Sequence, residues 1–275
     1  MRRWRWLMPL LLAAVPAPPQ AQAQNPVVLD PMVALQRRTQ LASARLTGGL
    51  ALAQQKVQID LELAAEEQRL NLRNAANERA TALAVALEVY RQSARDLQAR
   101  HLLVQAVSTA TQQYTQGCQQ AYQVWQQAVN QTLQTCIQDG SAALQPTYNE
   151  YNGALQSFAQ AMPNFDKEPD DLAGEFVQAG TPQPEGEAAK ALATALQAAR
   201  DKYAAVVKEA DATWQQATRK AIQALRDKQL AEELAASQLR RANRVWITTL
   251  MDALDEMRIA SRTALRQYQF AAVPD

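Results

Sequence analysis

The sequence predicts an all-α protein: an elongated bundle of long antiparallel, coiled-coil-like helices with one acidic Pro/Gly-containing loop. Three observations predict it. Ala, Gln, Leu, Arg and Glu dominate the composition while Gly and Pro number only 8 and 12 in 275 residues, a bias toward helix formers. Gly and Pro are absent from residues 50–116, 118–139 and 187–273. Apolar residues recur at steps of three and four, as in Leu192, Leu196, Ala199, Tyr203, Val206, Ala210 and Trp214, and again in Trp246, Leu250, Leu254, Met257, Ser261, Leu265 and Tyr268.

Residues 1–23 have the three parts of a cleaved secretory signal: Arg2, Arg3 and Arg5, an apolar run over 7–15, and the small-x-small pattern Ala21-Gln22-Ala23. The run contains Pro9 and falls well short of the ~20 apolar residues that span a bilayer. The first cysteine is Cys118, so no lipid-modified cysteine follows the cleavage site. The expectation is a periplasmic or secreted chain from Gln24 onward, with no stable membrane insertion after cleavage. Without its leader the chain holds 25 basic and 27 acidic side chains, which supplies no overall attraction for nucleic acid.

Residues 24–275 are expected to form one elongated helical domain. Asp30-Pro31 starts a first short helix, with Asp30 as cap and Pro31 in the first helical position, and Gly48-Gly49 ends it. A second helix is expected from residue 50 to 139; unbroken, it would reach about 135 Å, so a bend or break is expected near Asn71, Asn74 and Asn77. The segment Val57-Gln-Ile-Asp-Leu-Glu-Leu alternates as a strand does, yet its helix-forming surroundings favour helix. Residues 139–148 read as a turn and 147–161 as a short helix. Residues 162–187 form the acidic flexible loop; from Pro163 to Glu187 there are seven acids against Lys167 alone. Beyond it the apolar stripes define further helices, with a break expected within residues 237–243. Tyr114 and Tyr203 each precede a Trp-Gln-Gln-Ala run by eleven residues, which suits either a duplicated arm or ordinary core positions.

The chemistry is mostly negative. His101 is the only histidine, and no Glu-x-x-His pair, haem-attachment motif, glycine-rich phosphate loop or nucleophile turn is present, so no catalytic, cofactor-binding or metal site is predicted. Register places His101 with Leu83, Leu87, Tyr90 and Leu97 as an interhelical hydrogen-bonding residue. Glu62 with Glu66, and Asp252 with Asp255 and Glu256, have a spacing that suits a hard cation, but solvated helix faces account for them more simply. Arg258, Arg262 and Arg266, like Arg240 and Arg244, form basic stripes of the kind that i to i+4 pairs produce.

The most informative stretch is residues 102–137, which contains no Asp, Glu, Lys or Arg, while twelve glutamines lie between Gln105 and Gln138. Glutamine tolerates burial at lower desolvation cost than a charge, which points to a contact helix. Candidate interface residues are Tyr114, Gln119, Tyr122, Gln123, Trp125 and Gln126. Two arrangements fit: a central helix surrounded by the 199–225 helix and its neighbours, or a helix with one face free for a partner. Cys118 and Cys136 are a possible disulfide. They lie five turns apart on one stripe, about 27 Å along a straight helix, so an intrachain bond needs a hairpin between them. An interchain bond and free thiols are the alternatives.

The leader, the lead-in Val27-Val28-Leu29-Asp30-Pro31 and the Ala/Gln-rich helices resemble the minor pilus-tip components of conjugative type IV secretion systems. That resemblance implies adhesion or assembly. The residues themselves point to a non-enzymatic scaffold or interaction protein of the bacterial cell envelope that acts through helix–helix contacts with a protein partner or another copy. The alternative is a periplasmic carrier or chaperone for an apolar client.

Overall fold

The computed structural model describes residues 31–93, 96–161 and 185–272. They form four long helices and no strand: α1 (Pro31–Gln92), α2 (Leu97–Ala161), α3 (Glu185–Arg226) and α4 (Glu232–Ala272). The leader, and most of the acidic loop at 162–187, lie outside the described residues.

Antiparallel pairing governs the arrangement. α2 runs back along α1, as Arg38 donating to Ser157, Arg45 to Glu150 and Lys56 to Asp139 demonstrate. α3 and α4 make a second hairpin, held by Lys202 with Glu256 and by the Trp246 indole donating to Asp211. α1 lies between α2 and the α3–α4 hairpin and packs against α2 and α4.

The core belongs to three helices. Ile59, Leu63 and Leu70 of α1 meet Ala199, Tyr203 and Ala210 of α3 and Trp246, Leu250, Leu254 and Met257 of α4. A smaller cluster of Val85, Ala221, Leu225, Ala235 and Leu239 closes the end near the α3–α4 turn. Polar contacts set the register between these layers: Arg73 forms a bidentate pair with Asp211 at 2.7 Å, and Asn243 donates to Asn74 at 2.8 Å. Buried Glu88 is answered by Arg91 and Arg226.

α2 contributes to neither cluster and is attached by alanines. Ala42, Ala53, Ala64 and Ala75 of α1 are buried at steps of eleven, and so are Ala110, Ala121 and Thr132 of α2, with Ala154 two steps further. Eleven residues make three turns at 3.67 residues per turn, close to the relaxed helix, so this seam needs no left-handed supercoil of the seven-residue kind. Small side chains bring the two backbones together. A Cβ on Gly49 would meet the Ala143 Cβ at 2.9 Å, and one on Gly117 would meet the Ala75 Cβ at 2.9 Å.

Several expected boundaries are corrected. Gly48-Gly49 does not end a helix; α1 continues through it, because glycine there admits the close approach of α2. No break occurs at Asn71–Asn77: α1 is continuous there, with Asn74 held by Asn243 and bonded to Glu78 one turn on. The chain turns instead at Ser93–Asp96, where Asp96 Oδ1 caps α2 by accepting from the Ala99 amide at 2.8 Å. Residues 139–148 are helical, Pro146 included; it sits on the exposed side, and the Thr147 hydroxyl donates to the Ala143 carbonyl within the same turn. The break expected in 237–243 lies at Asp227–Ala231. There Lys228 adopts a positive φ of 57°, Gln229 N–H bonds Ala224 O and Lys228 N–H bonds Leu225 O, the paired bonds of a Schellman stop.

Candidate interface on the outer face of helix α2

α2 has 65 residues, and apart from His101 its charged residues are Arg100, Asp139 and Glu150. Both acids are turned to α1: Asp139 accepts from Lys56 at 2.6 Å and Glu150 from Arg45 at 3.1 Å. Beyond His101 the outward side of α2 therefore carries no charge of its own. A solvated helix of this length ordinarily carries charged residues opposite its buried stripe.

That neutral side is also apolar. Tyr122, Leu133, Leu144 and Leu155 recur at steps of eleven and are all exposed, and Ile137 with Tyr148, again eleven apart, are 71% and 64% exposed. The seam against α1 uses the same eleven-residue period, so the exposed residues form a second continuous row beside it rather than scattered positions. Tyr151 lies within the row, and Val104 and Val107 continue it toward the start of α2.

The residues singled out from sequence lie on or beside this row. Tyr122 is exposed and its ring meets that of Trp125 at 5.8 Å between centroids. Trp125 and Tyr114 are half-buried at the edge of the seam, where the Arg79 guanidinium lies 5.2 Å from the Tyr114 ring centre. A side-chain hydrogen bond with Cys118 is the first cause that holds the Tyr114 phenol above its ordinary value. Gln119, Gln123 and Gln126 are exposed, and Gln126 falls in the row itself, eleven residues before Ile137. What sequence reasoning missed are Leu133, Ile137, Leu144, Tyr148, Tyr151 and Leu155; their eleven-residue spacing was the available signal, and the turn expected at 139–148 cut across it.

Three expectations are overturned. α2 is not the central helix surrounded by the 199–225 helix; α1 is central, and α2 packs on α1 with little contact to the α3–α4 hairpin. Cys118 and Cys136 are free and share one unbroken helix, five turns or about 27 Å apart, so no intrachain disulfide forms. His101 is exposed at the start of α2 rather than bonded between helices.

Of the acids considered for a cation, Glu62 holds Arg200, Glu66 holds Arg69, Asp255 holds Arg258 and Glu256 holds Lys202. A second concave feature lies between α3 and α4, a groove of about 560 Å³ lined mainly by Val206, Ala210, Trp214, Ala217, Val245 and Trp246. Among the described residues no helix is long and apolar enough to cross a membrane, and no group of His, Cys, Asp and Glu is placed to hold a metal ion. Comparison with known proteins finds no matching family model, no matching curated protein and no matching solved structure.

Proposed function

We propose that the protein is an exported, non-enzymatic scaffold of the bacterial cell envelope that binds a protein partner through the outer face of α2. The observation that carries the reading is the uncharged apolar row from Val104 to Leu155 on a helix whose two acids are both engaged by α1. Interfaces are depleted in charge at their centre and enriched in tyrosine, and this row has both features. The leader supports export. The minor pilus-tip role implied by the lead-in at Val27–Pro31 is a narrower form of the same proposal, and all of that lead-in except Pro31 lies outside the described residues.

The double variant Tyr122→Glu, Leu133→Glu tests it. Both side chains point away from the core, so helical circular dichroism and the melting temperature should stay within a few degrees of wild type while association, followed by sedimentation in native envelope extract, is lost. A large drop in melting temperature with association retained would refute the reading.

The groove between α3 and α4 favours a second reading, a carrier for an apolar client, because Val206, Ala210, Trp214, Ala217, Val245 and Trp246 give it apolar walls. A carrier would enhance the fluorescence of a hydrophobic dye, and Ala217→Trp would abolish that enhancement. A scaffold would do neither.

A further inference from the structure

We infer that the partner seated on the outer face of α2 is a second copy of the same helix, running antiparallel about a two-fold axis near Gln127. The inference deepens the scaffold reading and rests on it.

Charge is the first argument. A two-fold interface places one patch against itself, so any net charge on the patch would repel its own image. The α2 row is neutral from Val104 to Leu155 and meets itself without that penalty, whereas the surfaces of α1, α3 and α4 carry many lysines, arginines and acids. Glutamine amides at the edges both donate and accept, so they also pair with their own kind.

Shape is the second. Val104 and Val107 lie at one end of the row and Tyr148 and Tyr151 at the other, with Tyr122 and Leu133 symmetrically about the middle. Parallel pairing would stack the tyrosines on one another and leave the valines facing valines. Antiparallel pairing sets each valine pair against the tyrosine pair of the second copy and Tyr122 against its Leu133, large against small. Paired about Gln127, the two copies overlap from Val104 to Tyr151, about 70 Å at 1.5 Å per residue, and with helices 8–10 Å apart this would cover roughly 650 Å² per copy, near the ~800 Å² of a standard interface.

The same pairing brings Cys118 of one copy opposite Cys136 of the other. Both are half-buried at the edge of the row, and they are the only cysteines in the chain. They serve as a register probe. An azo oxidant such as diamide takes up two electrons and two protons from the two thiols and leaves one disulfide.

The experiment treats purified leaderless protein with diamide after sedimentation equilibrium, using wild type, Cys118→Ser, Cys136→Ser and an equimolar mixture of the two variants. The expected result is a dimer that crosslinks in wild type, does not crosslink for either variant alone, and crosslinks again in the mixture. Crosslinking of Cys118→Ser alone would show parallel pairing and overturn the inference. A purified protein that stays monomeric at about 100 μM would overturn it too. If the Tyr122→Glu, Leu133→Glu variant then loses a larger assembly in native extract, the scaffold reading survives with a different partner; if that assembly is unchanged, both fail.

Discussion

Gly117 of α2 and Ala75 of α1 stand so close that a Cβ on the glycine would lie 2.9 Å from that of the alanine. A glycine in the middle of a helix costs roughly 1 kcal/mol relative to alanine. Here that cost is offset by the approach of two backbones along a seam of small residues. Gly117→Val should lower stability by about 1–3 kcal/mol through overpacking. Combining it with Ala75→Gly should recover part of the loss. Thermal melts of the single and double variants decide it, and simple additivity would show that the contact is not tight.

Asp211 joins three helices. Its carboxylate accepts from the Arg73 guanidinium on α1 and from the indole of Trp246, which is 2% exposed, while Arg73 also lies over the same indole ring at 5.3 Å. Asp211→Ala leaves a buried donor without an acceptor and should cost about 2–4 kcal/mol in urea unfolding. Asp211→Asn, which keeps the acceptor for Trp246, should cost less.

The Tyr203 phenol is pushed up to about 12, first by burial and then by the negative charge of Glu66. Its value in the unfolded chain is about 10. A folded value above the unfolded one means that the neutral phenol contributes in full below about pH 10 and that the contribution is lost as pH rises through about 12. Urea midpoints measured across that window should fall more steeply for wild type than for Tyr203→Phe. Parallel profiles would contradict the assignment.

α1 alone, with 62 residues, is about 93 Å long at 1.5 Å per residue. If the helices run straight, small-angle scattering of the monomer should give a longest dimension near 95 Å or greater. A value under about 60 Å would show that they fold back on themselves.

Much of the three-helix core could be read in advance from side-chain period. Tyr203, Ala210, Trp246, Leu250, Leu254 and Met257 were placed on stripes by their spacing, and they are the residues that pack together. The boundaries were less legible, for reasons particular to each. Gly48-Gly49 resembles a helix stop, but a helix also uses glycine where another backbone must come close, and only the position of Ala143 distinguishes the two. The α3–α4 stop contains no glycine. Lys228 takes the left-handed conformation at a cost of about 1–2 kcal/mol, so composition offered no mark. The neutral character of α2 was visible over residues 102–137, and Tyr122 and Trp125 were found through it. Its continuation to Leu155 was hidden, because the charges of Asp139 and Glu150 are cancelled by Lys56 and Arg45 from another helix.

The central claim is that the outer face of α2 is covered when the protein is at work. Hydroxyl-radical footprinting of Tyr122, Tyr148 and Tyr151, compared between dilute purified protein and the proposed envelope assembly, tests it most directly. The account predicts several-fold slower oxidation of all three tyrosines in the assembly, with partly buried Tyr268 on α4 unchanged. Equal oxidation of Tyr122, Tyr148 and Tyr151 in the two states would contradict it.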